Sequence, residues 1–224
     1  MTLIVKSIKR PDRSIVEGFT RVSPATIHEA MGRRGAVDSR IKPIYAGMKV
    51  CGPAVTCECQ VGDNLALHVA LHLAEAGDVI VATTGDYTEQ GLFGDVMASC
   101  ALAKGVNGLV VDGGVRDGAS MREMGFSVFA RAQCMKGTVK ETIGPVNQPI
   151  AFGGQIVRPG DIIVGDDDGV VVVPQQVAEE ILEACYAREQ KEAAIQVQLR
   201  EGKTTWGMSD WGEMLRAKGM VLDL

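Results

Sequence analysis

Four short runs of small and β-branched apolar residues, each separated from the next by a helix-length segment that ends on glycine, constrain this chain most. Lys49 to Val61 alternates as a strand, and Asp78-Val79-Ile80-Val81-Ala82, Gly108 to Asp112 and Ser127 to Ala132 read as further strands. Between them, Asp63-Asn64 caps an amphipathic helix that ends by Gly77. A second helix runs from Asp95 to Lys104 and stops at Gly105, and a short third runs from Ala119 to Met124 and stops at Gly125. A β-α-β-α-β-α-β order of this kind builds a largely parallel sheet with helices on its faces. Aromatics make up only 4% of 224 residues against 46% apolar, so Val, Ile, Leu, Ala and Met must fill the core.

The pattern changes on both sides of this block. Upstream, Ser23-Pro24-Ala25-Thr26-Ile27 opens a short helix with Ser23 as N-cap, Pro24 at the first position and Gly32 as the stop. Downstream, Ile150 to Val173 holds short β segments with turns at Gly153-Gly154, Pro159-Gly160 and Asp166-Asp167-Asp168-Gly169, which predicts antiparallel hairpins. A Glu- and Ala-rich helix follows from Gln175 to Leu199, entered through Pro174. The last 25 residues, with Trp206, Trp211 and Met214, read as an arm that packs on another surface.

Several functions are excluded or disfavoured. A net charge of −5 without a basic block does not suit a nucleic-acid surface. The start, Met1-Thr2-Leu3-Ile4-Val5-Lys6, lacks a signal-peptide pattern, and no apolar run reaches the roughly 18–20 residues of a membrane span. Six cysteines inside apolar runs, without secretory context, read as reduced thiols of a cytoplasmic protein. Cys57-Glu58-Cys59 has no second pair to complete a zinc site. His68 and His72 share a helix face, but the apolar stripe beside them points to packing. Asp166-Asp167-Asp168-Gly169 fits a hairpin turn better than a calcium loop.

The chemistry concentrates between Gly85 and Asp117. There a Gly-rich loop feeds the helix at Gly94-Asp95, and the next strand leads through Asp112-Gly113-Gly114-Val115, read as its exit turn, to Arg116-Asp117. Ligands of α/β sheets bind beyond the carboxyl ends of the strands. Helix-start amides attract an anion, arginine grips a carboxylate or enolate, and aspartate can hold a hard cation. This is a site for a metal-bound oxo acid.

Gly94-Asp95, the run from Gly105 through Gly108 to Asp112-Gly-Gly-Val-Arg116-Asp117, Gly137-Thr138-Val139-Lys140-Glu141 and Pro159-Gly160-Asp161 with Asp166 to Pro174 resemble the 4-hydroxy-4-methyl-2-oxoglutarate / 4-carboxy-4-hydroxy-2-oxoadipate aldolases. Those aldolases share their fold with the regulator of ribonuclease E activity A. The likeness covers about Ser23 to Pro174. It implies an α/β chain with a three-layer α/β/α swivelling-domain fold and a mixed sheet. Residues 1–174 would form the aldolase-like domain, and 175–224 a C-terminal helix and arm packed on a neighbouring subunit of a trimer or hexamer. It further implies a class II pyruvate aldolase of aromatic acid catabolism with oxaloacetate decarboxylase side activity. In that role Asp117 would bind Mg²⁺ or Mn²⁺, and Arg116 would stabilise the enolate. The backbone of Gly94, Asp95, Val96 and Met97 would hold the carboxylate of a small 2-oxo acid, and Asp95 would position water or relay a proton. Glu29 and Glu192 would approach from an adjacent subunit. The alternative is a non-catalytic ribonuclease-regulator-like binding protein of the same fold.

Overall fold

The structure is a computed structural model that describes residues 4–221. Met1, Thr2 and Leu3, on which the reading of the leader partly rests, lie outside the described residues. The chain divides into two compact units at Cys185/Tyr186. The first is built on a seven-stranded sheet. Its elements are helices α1 (Arg13–Phe19) and α2 (Pro24–Ala30), strands β1 (Lys42–Pro43) and β2 (Val50–Glu58), α3 (Leu65–Leu73), β3 (Val79–Thr83), α4 (Asp95–Ala103), β4 (Gly108–Val115), α5 (Gly118–Glu123) and β5 (Ser127–Gln133). Strands β6 (Ile150–Phe152), β7 (Gln155–Val157), β8 (Ile162–Asp166) and β9 (Gly169–Val173) follow. Sheet order is β1-β5-β4-β3-β2-β8-β9, with β2 to β5 mutually parallel and β1, β8 and β9 antiparallel to their neighbours; β6 and β7 form a separate hairpin. The α/β class, the mixed sheet and the C-terminal helix agree with the sequence reading.

Side-chain alternation explains the layering. On β2, Cys51, Val55 and Cys57 face the helices: Val55 and Cys57 pack with α3, α4 and α5, and Cys51 packs beside α1, α2 and strands β8 and β9. Val50 and Ala54 point the other way, into a core closed by Ile150, Phe152 and Val157 of the β6–β7 hairpin together with Val37 and Ile41. Helices therefore cover one face of the sheet and a β-hairpin the other. β3 and β4 are buried along their whole length, as continuous apolar strands between two packed layers must be.

Local details differ from the sequence reading for identifiable reasons. Asp112 to Val115 is the buried end of β4 and not an exit turn: pairing with β5 shifts register between Val111 and Gly114, and the strand continues. The shift is pinned by Asp112, whose Oδ1 accepts from Arg131 Nε and whose Oδ2 accepts the Gly153 amide at 3.0 Å. The final helix of the reading starts late. Gln175–Val177 is a 3₁₀ turn because Gln175 donates its amide to Asp161 and its side-chain amide to the Pro159 carbonyl, and α6 (Ala178–Arg200) begins after it. Asp166 to Gly169 is the β8–β9 hairpin turn, with Asp168 N donating to Asp166 Oδ1. Cys57 and Cys59 are buried, and the Cys59 hydrogen bond together with burial pushes the Cys57 thiol well above its ordinary value.

Ala178, Leu182 and Cys185, in the first turns of α6, complete the core beside β8 and β9. In the second unit, the remainder of α6 leads to α7 (Trp211–Ala217), where Trp211 Nε1 donates to the Thr205 carbonyl. No helix among the described residues is long and apolar enough to cross a membrane.

Asp112→Ala should cost about 3–5 kcal/mol, because it leaves the Arg131 guanidinium, only 7% exposed, without its main counter-charge. Denaturant unfolding of the variant measures this.

Candidate functional site

The site forms where the β3–α4 loop is laid against the end of β4. Leu92 N donates to the Gly114 carbonyl at 3.0 Å, and Arg116 N to the Phe93 carbonyl at 2.9 Å. Gly114 is required here, since a Cβ would press on the Thr88 and Gln90 carbonyl oxygens at 2.7 and 2.6 Å. These contacts seat the start of α4 beside Arg116-Asp117, at the carboxyl ends of parallel strands.

Asp117 sits at the N-cap of α5 in the left-handed region (φ 57, ψ 34). That conformation turns its carboxylate back toward α4, where Oδ2 lies 3.4 Å from the donating Asp95 amide and 3.3 Å from Arg116 Nε. Gly94 leaves room for this approach: a Cβ there would collide with Asp117 Oδ2 and stand 3.2 Å from Arg116 Nε. Asp117 is thus paired with its neighbours rather than free, while remaining partly open to solvent. As at any helix start, the amides of Val96 and Met97 lie in the first turn, with no intrahelical acceptor.

A pocket of ≈ 290 Å³ opens over this corner, lined by Gly94, Asp95, Val96, Met97 and Arg116. Its other wall contains residues that the sequence reading did not assign to the site: Asn64, His68, Thr138 and Lys140. The apolar stripe beside His68 points to a packing residue. His68 does sit on α3 beside apolar neighbours, but its Nε2 is buried at the pocket without a hydrogen-bond partner among the described residues. Burial, reinforced by the Lys140 charge, holds its pKa below the ordinary value. The available signal was the run Gly137 to Lys140, which reaches the pocket because Asn64 N donates to the Val139 carbonyl and Asp63 Oδ2 accepts the amides of Glu141 and Thr142.

Glu29 and Glu192 are not among the lining residues. Glu29 lies on α2 with Oε1 3.2 Å from Arg33 Nε, and Glu192 lies in the second unit with Oε1 2.8 Å from Arg188 Nε. Among the described residues, no group of three or more His, Cys, Asp or Glu is arranged to hold a metal ion. Two carboxylates stand at this corner: Asp95, which lines the pocket, and Asp117 beside it, next to Arg116 and the Asp95 amide. A hard cation such as Mg²⁺ suits such a donor set, because it takes one or two carboxylates and fills its other positions with water and ligand oxygens.

Residues 24–172 match the model of the RraA-like family, described as Aldolase/RraA. The chain belongs to the RraA-like family. A protein of Halalkalibacterium halodurans, provisionally named 4-hydroxy-4-methyl-2-oxoglutarate aldolase, is 37% identical over 165 residues, which cover 74% of this chain and 79% of that one. Among solved structures, Streptomyces coelicolor RraAS2, described as an unusual member of the RNase ES inhibitor RraA protein family, aligns with a TM-score of 0.75 at 32% identity. The alignment covers 84% of this chain and 100% of the other. The RNA-processing inhibitor RraA of Thermus thermophilis aligns at 0.62 and 28%, covering 67% and 91%. This RraA-like chain thus resembles relatives named as an aldolase and relatives named as inhibitors.

An NMR titration of the His68 ring should give a pKa below 6.5, and Lys140→Met should move it upward. With a depressed folded-state pKa, the folded protein binds fewer protons, so this group lowers stability as pH falls through the unfolded value of 6.5 and below. His68→Gln should remove that part of the acid sensitivity, read as unfolding free energy against pH.

Proposed function

We propose that this RraA-like protein is a divalent-metal-dependent pyruvate aldolase that cleaves 4-hydroxy-2-oxo acids. Its substrates would be 4-hydroxy-4-methyl-2-oxoglutarate, giving two pyruvates, and 4-carboxy-4-hydroxy-2-oxoadipate, giving pyruvate and oxaloacetate. One observation carries this reading: the start of α4 and Arg116 line one pocket, and the Asp117 carboxylate stands directly beside them, 3.3 Å from Arg116 Nε and 3.4 Å from the Asp95 amide. The provisional name of the H. halodurans relative supports it.

Cleavage removes the proton of the 4-hydroxyl, breaks the C3–C4 bond to leave a carbonyl at C4, and leaves the electron pair as pyruvate enolate, which takes a proton at C3. None of Asp95, Arg116 and Asp117 can form a Schiff base, and Lys140 stands on the opposite wall of the pocket, so a divalent cation is the sink this reading assigns to the enolate. Mg²⁺ or Mn²⁺, held by Asp117 with Asp95 beside it, would supply Lewis acidity toward the 2-oxo acid oxygens. The first-turn amides of α4 receive the pyruvyl carboxylate, and the forked guanidinium of Arg116 faces the 2-oxo oxygen as it gains charge. Asp95 positions the water through which protons move. Oxaloacetate decarboxylation follows as a side activity, since it leaves the same enolate.

Of residues 175–224, the first turns of α6 belong to the chain's own core, and in this reading the rest serves as a helix and arm packed on a neighbouring subunit of a trimer or hexamer, with Glu29 and Glu192 delivered across the interface. The Ala- and Glu-rich sequence of α6 has too few large apolar side chains to be stable as an isolated helix.

Pyruvate release from either substrate should require the divalent cation and stop with EDTA, and Asp117→Ala should abolish it while circular dichroism stays unchanged. A well-folded protein that releases no pyruvate with Mg²⁺ or Mn²⁺ present would favour the inhibitor-like reading. Arg116→Lys should lower kcat by about 10²–10³, because an ammonium cannot meet two oxygens in a plane. Mixed oligomers of Arg116→Ala and Glu192→Ala subunits should recover activity if Glu192 completes a neighbour's site; verified hybrids with none would leave Glu192 on a solvated helix face.

A further inference from the structure

The pocket wall opposite Arg116 and α4 carries polar groups that no part of the fold uses. Asn64 is 5% exposed, and its amide orientation is fixed. Nδ2 donates to the Leu92 carbonyl at 2.8 Å and points at Met97 Sδ at 3.6 Å, so Oδ1 is left as an acceptor. Among the described residues, Asn64 Oδ1 and His68 Nε2 are both buried without a hydrogen-bond partner. A buried acceptor of this kind costs roughly 1–3 kcal/mol unless something donates to it. A ligand that brings a donor satisfies this acceptor, and a carboxylate alone does not. Lys140, exposed at the rim and close enough to His68 to disfavour its charged form, adds a cation to the same wall. The wall is continuous with the first half of the site through Gly137, where a Cβ would stand 3.8 Å from Arg116 Nη1.

We propose that Asn64, His68 and Lys140 form a second subsite that selects ligands bearing a hydroxyl and a carboxylate on one carbon. Asn64 Oδ1 accepts from the hydroxyl, and Lys140 pairs with the carboxylate. His68 Nε2 closes the wall between them as a neutral ring, able to donate to the carboxylate or accept from the hydroxyl. Resting on the aldolase reading, this assigns the C4 end of the substrate: a tertiary or secondary alcohol carrying a carboxylate binds at this wall, while its 2-oxo acid end lies at α4. At ≈ 290 Å³ the pocket suits a small di- or tricarboxylic acid and not a bulky one.

The test compares 4-hydroxy-4-methyl-2-oxoglutarate with 4-hydroxy-2-oxopentanoate, which keeps the pyruvyl end and the hydroxyl but lacks the C4 carboxylate. Oxalate, a mimic of the pyruvate enolate, serves as the probe of the first half of the site. Lys140→Met should raise KM for the carboxylated substrate about tenfold, as loss of a charged hydrogen bond does, with kcat nearly unchanged. It should leave both the pentanoate KM and the oxalate inhibition constant as in the wild type, and Lys140→Arg should restore the carboxylated substrate. Asn64→Asp keeps an acceptor but adds charge, so it should weaken the carboxylated substrate more than the pentanoate, whereas a general distortion would weaken both alike. Equal effects on both substrates, or an unchanged KM in Lys140→Met, overturn the subsite while the aldolase reading stands. Failure of the wild type to bind oxalate or release pyruvate overturns that reading, and the subsite with it.

Discussion

Asp112 lies within the sheet, its carboxylate held between the Arg131 guanidinium and the Gly153 amide, and the site depends on that clamp. At Asp112 the β4–β5 ladder changes register, and a strand losing its ladder would normally end there. The ionic contact instead ties β4 to β5 on one side and to the β6–β7 hairpin on the other. The chain then stays extended for three more residues, with Gly113 and Gly114 thin enough for the β3–α4 loop to lie across them. Because Leu92 and Arg116 are bonded over this extension, the α4 start and the Arg116-Asp117 pair form one rigid corner rather than two independent loops. A second ionic link, Asp38 to both Arg131 and Arg40, anchors the clamp to the segment that covers the hairpin face.

Much of this was legible in the sequence because the physics is local. Glycine stops and apolar runs mark strands β2 to β5 and helices α3 to α5, and Ser23-Pro24 marks α2, whose Ser23 hydroxyl accepts the Thr26 amide. The convergence of Gly94-Asp95 with Arg116-Asp117 was legible as well, since both follow parallel strands. What was missed is non-local. Asp112-Gly113-Gly114 has the composition of a turn, and only Arg131, 19 residues away, keeps it in the sheet. α1 has a single clear apolar stripe of two turns, too short to register as a pattern. The pocket roles of Asn64 and His68 were hidden because a helix N-cap position and a histidine beside an apolar stripe each have an ordinary structural meaning. Only the loop of Gly137 to Lys140, brought in by Asp63, reveals the second wall.

Charge at the site is more evenly balanced than the charge of the chain. A protein with a net charge of −5 repels polyanionic acids at long range, and such repulsion is largely screened beyond about 10 Å at moderate salt. Inside that distance Arg116, Lys140 and the α4 start stand against the carboxylates of Asp95 and Asp117, so the site itself is close to neutral. Lys136, near the same rim, is engaged by Glu89 at 2.7 Å, so its charge is already answered within the protein.

The left-handed backbone at Asp117 carries an implication for how a scaffold of this kind can drift. Side chains that adopt this conformation with little strain are few: glycine, and among the rest chiefly asparagine and aspartate. Asparagine has the same shape as aspartate there and would satisfy the same turn, yet it carries no charge. Folding therefore discriminates between the two only through the partly exposed Arg116 contact at 3.3 Å, whereas the proposed cation chemistry depends on the charge outright. A lineage released from that chemistry could exchange one for the other and keep an intact, well-folded pocket that binds its ligand without transforming it. On such a scaffold, catalyst and binder would stand one substitution of small structural cost apart.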